Sequence, residues 1–366
     1  MNKKEIVVTG ATGHIGNRLV QELIKRGYKV TALVRKESKV SNYLKSKGAE
    51  IKLCDLNNVT TFSEYLYQKN ALFHLAAENS TDTTDKEKLI KNTLDITKTV
   101  INAALKQKVK QIIYTSSVVV LGRSKNQKKL VTLNDMVENS SLPYVEGKIY
   151  AEKWIREKVN SYTDIKIIYP SWVVGPGDYK GTPPNKFLIE LANKNNLFTI
   201  KGGVSLAHVD DVVDGHILAM EKGLRNDRFI LSGHNLTFSQ IQKKISLKFD
   251  KSGPIFSLPN RPLKKLIHLL GKFSPLDPKY AEEIIGTYSW YDNHETITKL
   301  GYKCKNLEEI FDDIKILIKQ EELNVKHLNL TVKRKYHVKE DHPNLLITGY
   351  PGWLGNRIIE KLCQEN

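Results

Sequence analysis

The apolar run Glu5-Ile6-Val7-Val8-Thr9 breaks into Gly10-Ala11-Thr12-Gly13-His14-Ile15-Gly16, and an amphipathic stretch follows at once. No other feature restricts the fold so strongly. One glycine suits a sharp exit from a strand, a second lets backbone approach a pyrophosphate, and a third allows close helix–strand packing. The following helix offers unpaired N–H groups and a positive dipole end to phosphates. Leu19, Val20, Leu23 and Ile24 have helical spacing, and Gly27 stops them. Gly10, Thr12, Gly13, His14, Ile15 and Gly16 are therefore the candidate phosphate-loop residues.

The same rhythm continues to about residue 170. Tyr28 to Val34, Ile51 to Cys54, Ala71 to Leu75 and Gln111 to Tyr114 read as strands, each after a helical pattern. Ile165 to Ile168 is a further strand, following a helix that contains Ala151 to Val159. Alternating strands and helices predict an α/β, Rossmann-type, doubly wound parallel sheet. From Pro170 onward Pro and Gly punctuate the chain, as expected for a smaller C-terminal substrate-binding lobe. His208 to Ala219 reads as a return to the first unit. The expected division is a nucleotide-binding core over about 1–169 plus 204–234 and a lobe over about 170–203 and 235–320.

A second copy of the opening motif stands near the other end. Residues 345–364, LLITGYPGWLGNRIIEKLCQ, repeat residues 6–25, IVVTGATGHIGNRLVQELIK. Thr348, Gly349, Gly352, Gly355, Asn356, Arg357 and Leu362 each match the residue 339 positions earlier (348 − 9 = 339). A single strand–helix unit cannot bury its apolar face. Residues 344–366 therefore read as the truncated start of a second Rossmann domain, with 321–343 as the linker.

Composition excludes several classes. The chain is 40% hydrophobic and 27% charged, the balance of a globular protein rather than a disordered one. No apolar run approaches the ~18 residues of a membrane span, and MNKKEIVVTG does not read as a signal peptide. Cys54, Cys304 and Cys363 show no CxxC spacing, so neither a disulfide framework nor a metal site is indicated. A reducing cytoplasm is the implied compartment. The net charge of +17 suggests nucleic acid, yet only ten of the 57 basic residues are Arg. Arg is the residue of bidentate phosphate and base contacts, and Lys is a strongly hydrated surface charge. The reading is a solvated lysine surface with no nucleic-acid partner.

Two constellations carry chemistry. Arg35 and Lys36 end the second strand, where an acidic residue would grip the ribose 2′-hydroxyl of NAD and an Arg suits a 2′-phosphate. NADP(H) is thus favoured over NAD(H), with exposed loop charges as the alternative. Ser116-Ser117 is followed by Tyr144-Val145-Glu146-Gly147-Lys148. Tyr and Lys four apart share a helical face. An adjacent cation favours phenolate, which makes the tyrosine a usable proton donor.

With these residues in place, the chain resembles the extended short-chain dehydrogenase/reductases of the NAD-dependent epimerase/dehydratase superfamily. The likeness spans about residues 4–320. It rests on Thr9 to Gly16, Asp55-Leu56, His74-Leu75-Ala76-Ala77, Asn92, Thr115-Ser116-Ser117 leading to Gly122, and Tyr144, Lys148, Ala151 and Glu152. It continues through Pro170-Ser171-Trp172-Val173-Val174-Gly175-Pro176, His208 to Val212 and Leu231 to Thr237. The segment Gly175 to Pro183 is similar to that of the dihydroflavonol reductase-like branch. Tyr169 and Leu121 depart from many sugar-nucleotide epimerases, which carry Arg and Tyr there, and only Arg225, Arg228 and Arg261 lie between Pro170 and Gln320.

The resemblance implies catalysis by Ser117, Tyr144 and Lys148, with Asn92 supporting a water relay. It also implies cofactor contacts from Asp55, Leu56, Leu75, Ala76, Ala77, Tyr144, Lys148, Pro170 and Val173 beside the glycine loop and Arg35. The implied reaction is hydride transfer to or from a carbonyl or alcohol carbon of a small-molecule substrate, in a possible homodimer. An epimerase or dehydratase retaining NAD, and a non-enzymatic NADP(H) sensor, are the alternatives. His74 and His208 read as packing or hydrogen-bonding residues. Asp210-Asp211 reads as a helix N-cap with a structural acceptor, and Trp172 as either pocket wall or interlobe core.

Overall fold

The computed structural model describes residues 4–77, 86–159, 164–270 and 278–321. Strand β1 (Glu5–Thr9) shows why the sheet is covered on both faces. Val7 packs into one apolar cluster with Leu72, Ile112, Ile165 and Ile167, while Ile6 and Val8 pack into another with Phe73, Ile113 and Ile168. Successive strand side chains point to opposite faces, so an unbroken apolar strand needs a layer on each. Each fully buried Val, Leu or Ile contributes roughly 1.5–3 kcal/mol.

The layers come from the intervening helices. The first unit runs α1 (His14–Lys25), β2 (Lys29–Val34), α2 (Lys39–Ser46), β3 (Glu50–Leu53), β4 (Ala71–His74), α3 (Lys86–Lys106), β5 (Gln111–Thr115), α4 (Pro143–Lys158) and β6 (Asp164–Pro170). The remainder runs β7 (Trp172–Val174), α5 (Pro183–Asn193), β8 (Phe198–Ile200), β9 (Gly203–His208), α6 (Val209–Lys222), β10 (Arg228–Leu231), β11 (His234–Thr237), α7 (Phe238–Lys248), β12 (Phe256–Leu258), α8 (Asn260–Leu270), α9 (Pro278–Ile284), β13 (Tyr288–Ser289), α10 (His294–Leu300) and α11 (Leu307–Asp312). The central sheet has seven parallel strands in the order β10-β6-β5-β4-β1-β2-β3. α1 and α6 cover one face, and α3 and α4 the other. The order reverses between β1 and β4, which opens the crevice where doubly wound sheets bind ligands.

A smaller sheet is built around β9, with β11 antiparallel and β7 and β13 parallel to it. Phe187 meets Trp172 and Phe238 edge to face at 5.7 and 5.9 Å, and Trp172 and Phe238 lie tilted at 6.3 Å, so the half-buried Trp172 packs against the core of this lobe. No helix among the described residues is long and apolar enough to cross a membrane.

Three expectations change. Residues 204–208, placed with the nucleotide core, form the central strand of the smaller sheet, although α6 and β10 do pack on the core. Leu300 and Tyr302, placed in the lobe, are buried in the core cluster under α1 and α6. The helix expected before β4 is replaced by two 3₁₀ turns, Val59–Thr61 and Ser63–Leu66. The side chains of Asp55 and Asn58 accept from the backbone N–H groups of Asn57 and Thr60, at 3.0 and 3.1 Å, and so compete with a continuous helix. The repeated motif at 344–366 and residues 322–343 of the expected linker lie outside the described residues.

Candidate active site

The glycine turn is shaped by what its residues lack. Gly10 has φ +69°, and a Cβ there would lie 2.7 Å from the Ala76 nitrogen and the Leu75 carbonyl carbon. A Cβ on Gly16 would lie 2.2 Å from the Gly10 oxygen. The turn closes through Gly13 N–H to Gly10 O at 2.9 Å. Leu75 and Ala76 reach across the switch point, their N–H groups donating to Thr9 O and Thr9 Oγ1 at 3.3 Å. Gly10, Gly13, Gly16, Leu75 and Ala76 thus meet at the crevice, with Thr12 and Ile15 in the same turn and Ala77 next along the chain.

These residues fit a dinucleotide phosphate. α1 starts at His14, with Gly13 as its N-cap, no side-chain cap and no acidic residue in its first turn. Its leading N–H groups have no intrahelical acceptor, and no carboxylate competes with an anion for them. Arg35 is exposed just beyond β2, and Asp55 is exposed beyond β3 with Leu56 half-buried beside it. Pro170 is the buried last residue of β6, and Val173 is half-buried in β7, paired with Ala207.

His14 also ties the turn to the second half of the chain. Its side chain is buried and bonded to the Gly175 carbonyl at 3.0 Å, so only its backbone N–H remains for a phosphate. Burial holds its pKa below the ordinary histidine value. Asn17 and Arg18 were not singled out, yet both tie the turn to the second half. The Asn17 amide donates to Gly13 O, His14 O and Gly177 O at 2.6, 3.0 and 3.0 Å. Arg18 forks onto Asp210 Oδ1 at 2.6 and 3.0 Å. A signal for them existed: both recur in the repeated motif, as Asn356 and Arg357.

The second group lies at the C-terminal ends of β5 and β6. Ser117 follows β5 and caps a 3₁₀ turn over Val118–Leu121. Tyr144 and Lys148 project from the first two turns of α4, which Pro143 initiates. Gly147 between them permits this placement, because a Cβ there would lie 3.2 Å from the Thr93 Cβ of α3. Asn92 is half-buried on α3, next to Thr93.

The electrostatics differ from the simple lysine-activates-tyrosine expectation. Burial raises the Tyr144 pKa, and the neighbouring Ser117 hydroxyl, rather than Lys148, pulls it back. The Lys148 ammonium donates to Thr115 O at 3.1 Å and sits 5.5 Å from the Tyr114 ring centre. Burial lowers its pKa to about 8, with Glu152 opposing. Desolvation outweighs a cation that points elsewhere.

The histidines are structural. His74 Nδ1 bonds Thr9 Oγ1 at 2.7 Å, and His208 caps α6 and bonds Asp313 at 2.8 Å. The expected N-cap at Asp210-Asp211 instead falls on His208, two residues before Asp210. Both carboxylates lie in the first turn of α6 and accept from Lys305, Asp210 through the ammonium and Asp211 through the backbone N–H.

A sequence profile of the NAD dependent epimerase/dehydratase family matches residues 6–231. The chain belongs to this family. Among relatives, it is 32% identical over 269 residues to dihydroflavonol 4-reductase of Gerbera hybrida, covering 67% of this chain and 72% of the relative. It is 30% identical over 331 residues to that of Callistephus chinensis, covering 84% of both. The solved structure of gox2253 superposes with a TM-score of 0.76 at 27% identity, over 87% of this chain and 99% of the other. This member of the epimerase/dehydratase family is an NAD(P)-dependent oxidoreductase of the extended short-chain type, in the dihydroflavonol reductase-like branch.

Proposed function

We propose that the enzyme uses NADP(H) to reduce a ketone or aldehyde of a small organic molecule, with Tyr144 as the proton donor. The observation that carries this reading is the Ser117 hydroxyl beside the Tyr144 phenol, on elements that converge at the ends of β5 and α4. When bound, the reduced nicotinamide supplies the hydride. Ser117 orients the carbonyl oxygen, and Tyr144 hands its phenolic proton to that oxygen as negative charge develops there. Lys148 holds the cofactor ribose, Asn92 supports a water path toward Lys148, and Arg35 pairs with the extra phosphate. The Gerbera and Callistephus relatives, named for reducing a dihydroflavonol, support a ketone substrate on an organic ring. The lysine surface is taken as solvated rather than nucleic-acid-binding, with a homodimer contact along the α4 side.

Tyr144→Phe tests the assignment. Turnover should fall about 10²- to 10⁴-fold, the typical contribution of general acid catalysis, with NADPH affinity unchanged by fluorescence titration. Full turnover in that variant would remove Tyr144 from the reaction.

A further inference from the structure

One turn beyond Lys148 on α4 stands Glu152, with 0% of its surface exposed against 4% for Lys148. Residues four apart share a helical face, and both side chains turn toward neighbouring strands of the central sheet: the Lys148 ammonium donates to Thr115 O of β5, and the Glu152 carboxylate meets Tyr169 of β6, whose neighbour Ile168 pairs with Thr115. From β6, fully buried Tyr169 donates its hydroxyl to Glu152 Oε1. A lone ammonium at such a depth tends to lose its proton, because burial disfavours the charged form. A hydroxyl that donates to a carboxyl group favours its ionised form.

We infer that Glu152, oriented by Tyr169, is a positioning residue that keeps Lys148 in its ammonium form inside the active site. The inference rests on the proposed role of Lys148 in holding the cofactor ribose. It adds a buried second unit, Glu152 with Tyr169, that touches neither substrate nor cofactor.

The other titratable and charged groups facing the pair leave Glu152 as the counter-charge. On β4, His74 is pushed down to about 3 by burial and by Lys148, so it is neutral over the working range. On β5, Tyr114 is raised by burial and by Glu152, and stays a phenol. On β6, Tyr169 is raised by burial and by Glu152, with the Arg228 guanidinium of β10 opposing. On α4 itself, burial raises Tyr144. Burial also raises Glu152, while Tyr169, Arg156 and Arg228 act to keep it ionised.

The test follows Lys148 directly, without turnover. Full-length wild type, Glu152→Gln, Glu152→Asp and Tyr169→Phe are labelled competitively with acetic anhydride across pH, and acetylation at Lys148 is quantified by peptide mass spectrometry. NADPH affinity is measured over the same range. Glu152→Gln should lower the Lys148 titration by about one pH unit or more, the scale of losing a close opposite charge. The alkaline loss of NADPH affinity should move down with it, and affinity near pH 6 should approach wild type. Tyr169→Phe should shift both in the same direction by less, and Glu152→Asp should return them toward wild type. A reduced thermal midpoint with unmoved Lys148 titration would make Glu152 a packing residue and overturn the inference. Should Glu152→Gln fail to fold, Tyr169→Phe carries the test alone, and an unmoved titration there overturns it equally. Full turnover in Tyr144→Phe would defeat the proposed chemistry but would not move this titration.

Discussion

The two ends of the proposed cofactor crevice are built on opposite principles. At the glycine turn after β1, the groups proposed to work are backbone N–H donors, and the geometry depends on side chains that are missing. At α4, the groups proposed to work are side chains, and their state depends on how deeply they are buried. The first should therefore be damaged by added atoms and the second by altered charge.

The sharpest way to break this contrast is Gly16→Ala. Its Cβ would meet the Gly10 carbonyl oxygen at 2.2 Å, a backbone atom that cannot step aside. Overpacking of this kind costs about 1–3 kcal/mol. Chemical denaturation should show that loss, and NADPH binding should vanish. Gly147→Ala meets the Thr93 side chain at a looser 3.2 Å. It should lower stability less and impair turnover more than binding.

A smaller effect comes from acid, because buried imidazoles stand at both ends. His74 bonds Thr9 beside the glycine turn, and His216 bonds Thr115, the residue whose carbonyl holds Lys148. Burial holds their pKa values at about 3 and about 4. Both values lie below that of an unfolded histidine, so the unfolded chain binds more protons as pH falls from about 6.5 toward 4. The stability tied to the neutral rings is present above pH 6.5 and drains away through that window. Thermal midpoints measured from pH 7 to pH 4 should fall accordingly, and His216→Asn should flatten part of the slope. A slope unchanged in that variant would clear His216 of the effect.

The smallest predicted change is Arg35→Ala. It should raise the NADPH dissociation constant about ten-fold, the loss of one charge-assisted contact, with NADH affinity unmoved. Equal affinities for the two cofactors in wild type would remove Arg35 from the phosphate site.

The glycine turn was legible because eight consecutive residues make it, and local backbone needs dictate their identities. The parallel strands were legible for a related reason: burial on both faces demands continuous apolar runs. Tyr144 and Lys148 were legible through helical spacing, but the dominance of burial over the lysine's charge was not. That balance depends on β4, β5 and β6 closing over α4, which no local pattern encodes. The smaller sheet was the least legible, since its four strands are drawn from residues 172–289 and meet only around β9. The side-chain tie from His14 was not legible because its partner, Gly175, lies 161 residues away.

That distant partner bears on how such a protein can be taken apart. His14, Asn17 and Arg18 fasten the phosphate turn to Gly175, Gly177 and Asp210. A half-molecule ending at Pro170 would strand buried donors that the second half normally answers. The nucleotide half is therefore no portable cassette, and any recombination that exchanges it must carry the Gly175–Gly177 turn along. The later glycine motif keeps the asparagine and the arginine but has Trp353 where His14 stands. The histidine fastening is thus private to the first motif.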